Sequence, residues 1–224
     1  MSGDPPCPEP PRPEPPGFDA AFQARLETLV RWRRDVRHFR PDPVPPALLD
    51  RLLEIASLAP SVGLSQPWRF VSVAAPARRA AVRDNFLRCN AAALAAQDAD
   101  RAGLYARLKL AGLDAAPCHL AVFAEPDPVQ GHGLGRRTMP QTTDYSAVMA
   151  VHTLWLAARA AGLGVGWVSI LDPAAMAADL DVPAHWRFIG YFCLGTPQTE
   201  TETPELAREG WEQRRPAALT RLHR

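Results

Sequence analysis

Three arginines and an aspartate lie close together near the N-terminal end of the sequence. The segment reads Arg33-Arg34-Asp35-Val36-Arg37. If it is helical, Arg33 and Arg37 share one face, because residues four apart are neighbours on a helix. Their guanidinium groups would bind a phosphate dianion, and Asp35 would be a carboxylate available for proton transfer. A solvated basic helix end, with Asp35 as an ion-pair partner, explains the same residues, and this segment alone favours that simpler interpretation.

A second polar segment follows the end of a predicted helix. Residues 59–70 read Ala-Pro-Ser-Val-Gly-Leu-Ser-Gln-Pro-Trp-Arg-Phe. Ser61 and Ser65 supply hydroxyls, Gly63 lets the backbone approach a ligand, and Gln66 brings an amide that donates and accepts hydrogen bonds. These groups suit the edge of a polar heterocycle. A purely structural turn would explain them as well.

The motifs of several well-defined sites are missing from the sequence. There is no G-x-x-x-x-G-K-[ST] loop, no G-x-G-x-x-G, no nucleophile elbow, and no His pair or C-x-x-C with zinc-ligand spacing. Gly162, Gly164 and Gly166 alternate before a predicted strand, which is typical of a helix stop and turn. We therefore expect neither a standard hydrolase nor a metal site.

Composition and net charge exclude several classes of protein. The chain has 224 residues, 47% of them hydrophobic and 22% charged, which fits a folded globular protein of about one domain. A net charge of +1 argues against binding to nucleic acid or to an anionic membrane surface. No apolar run is long enough for a membrane span, and no signal peptide is evident. Four scattered cysteines fit a reducing cytoplasm.

Helices and strands alternate along the part of the chain that must position these residues. Residues 1–17 form a proline-rich tail, which we expect to be extended, and residues 18–224 form a single domain. The spacing predicts a helix from Asp19 into the arginine segment. The remaining predicted helices cover 46–58, 77–113 as a pair, 144–161 and 173–180, and the predicted strands cover 69–73, 119–124, 165–171 and 187–194.

This order predicts an α/β or α+β protein with a mixed central sheet of four to five strands. After Gly195 the sequence becomes polar and aperiodic, forming an arm that ends in Trp211, Arg214 and Arg215. Because the arm has no hydrophobic period of its own, we expect it to pack on a partner subunit.

Taken in order, these motifs resemble the FMN-dependent nitroreductase superfamily. The resemblance rests on R-R-x-x-R, on A-P-S-x-x-x-S-Q-P-W-x-F some 25–30 residues later, on G-L-G-V-G-W at 162–167, and on an arginine-bearing arm. It covers roughly residues 20–215. It implies an α+β nitroreductase-like fold, and a homodimer with FMN sites at the interface and the C-terminal arm on the partner.

Asp35 departs from the usual superfamily pattern, which has serine after the paired arginines. Together with S-V-G-L-S-Q-P-W at 61–68 and G-W-V-S-I-L at 166–171, it resembles a flavin-consuming branch of the superfamily. That branch fragments reduced FMN with O2 to 5,6-dimethylbenzimidazole, the lower ligand of vitamin B12, and erythrose 4-phosphate. The resemblance implies that reduced FMN is the substrate, supplied by a separate NAD(P)H-dependent flavin reductase.

The resemblance also implies roles for individual residues. Asp35 is similar to the catalytic carboxylate of the branch, and Ser169 to a hydroxyl near the reacting flavin. Arginines are implied to bind the phosphate and the ring edge of FMN. Ser61 and Gln66 are implied to line the flavin from the partner subunit's side, and Gly166 to let its strand approach the isoalloxazine. The residues implied to bind FMN are Arg33, Arg34, Asp35, Val36, Arg37, Ser61, Gln66, Gly166 and Arg214.

Two other functions stay open from the sequence. One is an ordinary FMN reductase that passes hydride from NAD(P)H to nitroaromatics or quinones. The other is a non-catalytic flavin-binding protein, which would release FMN unchanged after reduction and exposure to air. For the enzyme, either residues 84–113 or the long loop at 125–143 would supply a lid that excludes water.

Overall fold

The computed structural model describes residues 15–95, 112–215 and 221–222 of the chain. In these ranges the strands are β1 (Trp68–Ser72), β2 (Cys118–Ala124), β3 (Gly164–Val168) and β4 (Arg187–Gly195). The helices are α1 (Ala20–Trp32), α2 (Pro46–Ala56), α3 (Pro76–Ala95), α4 (Gly112–Ala115), α5 (Thr142–Ala160), α6 (Pro173–Leu180) and α7 (Glu205–Arg208). No helix in the described ranges is both long and apolar enough to cross a membrane.

The strands form one antiparallel sheet in the order β1-β2-β4-β3. Residues 119–124 of β2 are buried, because helices cover both faces of the sheet. Leu120 and Val122 point toward a core that includes residues of α2 and α5, whereas Ala121 and Phe123 point toward one that includes residues of α3 and α6. The protein is therefore a three-layer α+β structure, as predicted.

The sheet differs from the prediction in one respect. We expected mixed strand directions, but the four strands pair antiparallel. Parallel pairing in the described part of the chain is limited to an isolated bridge between Asp35 and Val165. This bridge places the predicted catalytic carboxylate at the edge of β3.

The prediction that a helix includes the arginine segment was wrong. Helix α1 ends at Trp32, and Arg33 has extended backbone angles. The Val36 N–H donates to the Val165 carbonyl over 3.0 Å, so the segment runs extended beside β3. Side chains two apart then share a face, which puts Arg33, Asp35 and Arg37 together.

The first part of the C-terminal arm packs on its own chain. The Arg40 N–H donates to the Thr196 carbonyl over 2.8 Å, and the Gln198 N–H donates to the His38 carbonyl over 3.0 Å. Contact between the rest of the arm and a partner subunit stays a prediction. Helix α7, in the arm, was not predicted. Of the proline-rich tail, residues 1–14 lie outside the described residues, as do residues 96–111 of the predicted helical pair.

Candidate active site

The Asp35 carboxylate has hydrogen-bond donors at both oxygens. Its Oδ1 accepts from the backbone N–H of Trp167 over 2.9 Å, and its Oδ2 accepts from Arg37 Nε over 3.3 Å. The Arg37 side chain is 12% exposed and the Asp35 side chain 38%. The carboxylate is therefore held at a fixed place on the sheet edge while one part of it remains accessible.

Burial raises the pKa of Asp35 above its ordinary value. The Trp167 N–H and the charges of Arg37 and Arg33 lower it, but the loss of solvation is the larger effect. A carboxyl whose pKa is raised in this way is closer to taking and giving a proton near neutral pH. This environment suits a general acid or base better than a surface ion-pair partner.

Two glycines in β3 allow the arginine segment to lie directly against that strand. A Cβ at Gly166 would lie 2.1 Å from the Val36 carbonyl oxygen, and one at Gly164 would lie 2.6 Å from Val36 Cγ2. Neither position has room for a side chain. The structure thus explains Gly166 by packing against Val36, and its predicted approach to the isoalloxazine stays a prediction.

Arg33 carries a buried donor without an acceptor. Its Nε has no hydrogen-bond partner among the described residues, and its guanidinium carbon lies 5.1 Å from the centroid of the Trp155 ring. A buried unpaired donor on a charged group is costly, so this nitrogen is suited to receive an anionic ligand. The helical spacing of residues 144–161 predicts Trp155 on the apolar face of its helix and indicates no role for it in a site.

Arg34 lines a pocket together with Asp35 and Arg37, and its guanidinium is bound to backbone carbonyls. Its guanidinium donates to the carbonyls of Arg31, Arg33 and Glu202, the last over 2.5 Å. Burial lowers the pKa of Arg34, and the positive charges of Arg214 and Arg33 lower it further. Arg34 therefore connects the arm to the end of α1, while Arg214 adds a third positive charge to the same region.

Ser61 and Gln66 lie in another part of the chain. Ser61 Oγ accepts the Gln66 N–H over 3.1 Å, closing the turn before β1, and Gln66 has a φ of 44°. The side-chain oxygen of Gln66 accepts from Gln130 Nε2 over 3.2 Å. Gln66 lines a groove together with Trp68 and residues of the loop after β2. The described residues that line this groove do not include the arginine segment, and those that line the two pockets around Asp35 do not include Ser61 or Gln66.

Ser169 is exposed, one residue beyond the end of β3. The short connection that carries it is fixed at its far end by Asn85 of α3, which is fully buried. Asn85 Oδ1 accepts the Asp172 N–H over 2.8 Å, and its Nδ2 donates to the Asp172 carbonyl over 3.3 Å. Sequence reasoning missed Asn85, since one of two asparagines in an alanine-rich helix gives no signal.

Comparison with known proteins decides the family. A model of the nitroreductase family matches residues 30–196, a range that includes the arginine segment, the turn before β1 and all four strands. The chain belongs to the nitroreductase family. Among curated proteins, a 5,6-dimethylbenzimidazole synthase of Rhodospirillum rubrum is 59% identical over 91% of this chain and 97% of its own length. Another of that name, from Rhodobacter capsulatus, is 49% identical over 91% and 99%.

Two solved structures with a similar fold contain bound FMN. Oxidized iodotyrosine deiodinase bound to FMN and 3-iodo-L-tyrosine is similar with a TM-score of 0.70 and 23% identity, over 89% of this chain and 99% of that one. A putative nitroreductase in complex with FMN from Exiguobacterium sibiricum has a TM-score of 0.58 and 15% identity, over 77% and 88%. At these identities the likeness shows that this nitroreductase-family chain shares their fold.

Proposed function

We propose that this chain is a 5,6-dimethylbenzimidazole synthase, which fragments reduced FMN with O2 to 5,6-dimethylbenzimidazole and erythrose 4-phosphate for the lower ligand of cobalamin. The observation that carries the proposal is the high identity to proteins of that name over nearly their whole length. The geometry of Asp35 supports it, because a partly buried carboxylate lies between two arginines in a nitroreductase fold.

The residues of the arginine segment fit the phosphate and ring of FMN. Arg33 offers a buried N–H that lacks an acceptor among the described residues, and the charges of Arg34 and Arg214 act on the same region. A phosphate dianion would supply the acceptor and relieve the repulsion among these cations. Arg37, whose side chain is mostly buried beside Asp35, would face the ring edge. We assign phosphate binding to Arg33 and Arg214 and a supporting role to Arg34.

Reduced FMN, as the substrate, supplies both the electrons that react with O2 and the carbon atoms of the product. Asp35 would take and deliver protons at the reacting flavin, a role for which its raised pKa is suited. Ser169, exposed at the end of β3, would present its hydroxyl to the same reaction. Among the described residues, no group of His, Cys, Asp and Glu could hold a metal ion.

A second copy of the chain would complete the site. Helix α1 has no buried residue, and Phe22, Leu26 and Val30 on it are each at least 39% exposed. Apolar surface of this kind is typical of a protein interface. Among the described residues of one chain, the groove beside Gln66 is separate from the pockets around Asp35, which supports a site built from Asp35 of one subunit and Gln66 of its partner.

Mixing two inactive variants tests this shared site. Asp35→Asn and Gln66→Ala chains are unfolded together and refolded, so that half of the dimers are mixed and each mixed dimer keeps one intact site. We expect about a quarter of the wild-type activity to return. If both residues act within one chain, mixing restores nothing. A monomeric mass by light scattering at micromolar concentration would also contradict the proposal.

The activity is tested by adding excess photoreduced FMN to the protein under air and analysing the products by mass spectrometry. The proposal predicts 5,6-dimethylbenzimidazole and erythrose 4-phosphate, and no dependence on NAD(P)H once reduced FMN is provided. With oxidised FMN and NAD(P)H, product should form only after a separate flavin reductase is added. Unchanged FMN in every case would indicate a binding protein. Oxidation of NAD(P)H with quinone reduction would indicate an ordinary nitroreductase.

A further inference from the structure

Trp155 is a buried indole that contacts the arginine segment in two ways. It lies on α5, it is 7% exposed, and its ring packs edge to face with Phe192 at a centroid distance of 6.4 Å. Its Nε1–H donates to the Arg34 carbonyl over 3.1 Å. The Arg33 guanidinium carbon lies 5.1 Å from the centroid of its ring. One rigid side chain thus holds both the backbone and the charged group beside it.

Stacking on an aromatic ring leaves the hydrogen-bond donors of arginine available. A guanidinium that lies over a ring uses its flat face, while its N–H groups point outward in the plane. Arg33 fits this description, because its buried Nε has no acceptor in the described part of the chain. An arginine held in one orientation loses less conformational freedom when it binds an anion than a freely moving one.

We propose that Trp155 is a positioning residue that orients Arg33 for the phosphate of FMN. The inference rests on the proposed function in one respect, namely that the ligand is FMN. On this inference, Trp155 contributes to the affinity for the phosphate and does not contribute to the affinity for the flavin ring. It also predicts that Trp155 acts through Arg33, so the two side chains are not independent in binding.

The test compares two ligands that differ by the phosphate. Photoreduced FMN and photoreduced riboflavin are titrated under argon into the wild type, Trp155→Leu, Arg33→Ala and the double variant. Because a cation–π contact contributes modestly, Trp155→Leu should weaken FMN binding about three- to thirty-fold. Riboflavin binding should change less than about two-fold. The double variant should bind FMN no more weakly than Arg33→Ala alone.

Two further variants separate positioning from general loss of packing. Leu154→Ala removes a buried side chain from the same helix and core, and should leave the ratio of FMN to riboflavin affinity unchanged. Trp155→Phe keeps an aromatic face and should restore most of that ratio. Equal weakening of both ligands in Trp155→Leu, or additive losses in the double variant, would overturn the inference. So would a wild type that does not distinguish FMN from riboflavin.

The experiment measures binding without oxygen and forms no product. A protein that binds FMN as expected but makes no 5,6-dimethylbenzimidazole would contradict the proposed function and leave the role of Trp155 standing. A protein that makes 5,6-dimethylbenzimidazole, but in which Trp155→Leu weakens FMN and riboflavin binding equally, would support the proposed function and overturn the role of Trp155.

Discussion

The backbone N–H of Trp167 donates to Oδ1 of Asp35, joining two residues that lie 132 positions apart in the sequence. The contact exists because the arginine segment leaves α1 and runs beside β3. Asp35 is thereby held where burial opposes its negative charge. The hydrogen bond from Trp167 by itself favours the ionised carboxylate, but the burial that comes with this position has the larger effect and makes ionisation unfavourable for folding.

The first prediction concerns stability as a function of pH. A carboxyl with a raised pKa in the folded state binds its proton more readily there than in the unfolded chain. The wild type therefore loses this part of its stability as pH rises from the unfolded pKa through the folded pKa. Asp35→Asn lacks the charge, so it should be at least as stable as the wild type at pH 7.5, with the difference vanishing in acid.

Urea unfolding of both proteins between pH 3.5 and 7.5 measures this effect. A loss of more than about 1 kcal/mol in Asp35→Asn at neutral pH would mean that the ion pair with Arg37 is the larger effect.

Gly166→Ala should move the arginine segment away from β3. The new methyl would meet the Val36 carbonyl oxygen, which belongs to the backbone and cannot rotate aside. Such overpacking costs about 1–3 kcal/mol of folding free energy. Because Asp35 and Arg37 move with Val36, affinity for reduced FMN should fall too. Gly162→Ala is a useful comparison, since Gly162 has a φ of 79° but a Cβ there would have no described residue within 4 Å. It should lower stability and leave FMN affinity intact.

Arg34 and Arg37 should differ when each is replaced by alanine. Arg37→Ala removes a charge-assisted contact to the ligand, worth about 1.5–3 kcal/mol, so FMN affinity should fall roughly 10- to 150-fold. Arg34→Ala instead leaves the carbonyls of Arg31, Arg33 and Glu202 without their donor. Its main effect should be a lower melting temperature and faster proteolysis of the arm. Equal loss of FMN affinity in both variants would show that Arg34 binds the ligand directly.

Local signals predicted the elements of this fold better than its site. Helix α6 has the predicted bounds because Asp172 caps it and Pro173 occupies its first turn, and both signals are local. The end of α1 depends on the contact between the arginine segment and β3. Neighbouring residues in the sequence carry no signal of that long-range contact. The types of Arg33, Asp35 and Arg37 indicated the chemistry. These three side chains share a face because the segment is extended beside β3, and not because it is helical.

Buried His119 should make the protein sensitive to acid. Its Nδ1 lies 2.8 Å from the Tyr191 hydroxyl, and its Nε2 lies 3.1 Å from the Ala116 carbonyl, which can only accept. The neutral ring therefore accepts from Tyr191 and donates to Ala116. Burial lowers the pKa of His119 to about 4. As pH falls from about 6.5 to about 4, only the unfolded chain takes up this proton, so stability should fall by up to about 3 kcal/mol.

His119→Asn removes the titrating group and should show a smaller loss over the same range. Because Asp35 contributes with the opposite sign, the comparison is best made in the Asp35→Asn background. Equal acid sensitivity of the two chains in urea unfolding would contradict the assignment to His119.

The account depends most on Asp35 as the group that moves protons during flavin fragmentation. The most direct measurement is the amount of 5,6-dimethylbenzimidazole formed per FMN consumed, at saturating photoreduced FMN under air. The wild type is compared with Asp35→Asn and with Asp114→Asn, a matched change at an exposed ion pair with Arg83. We expect Asp114→Asn to behave as the wild type. Asp35→Asn should bind reduced FMN and consume O2, yet return oxidised FMN, with product formation slowed at least about 10²-fold. Product formed by Asp35→Asn at near-normal yield and rate would contradict the central claim.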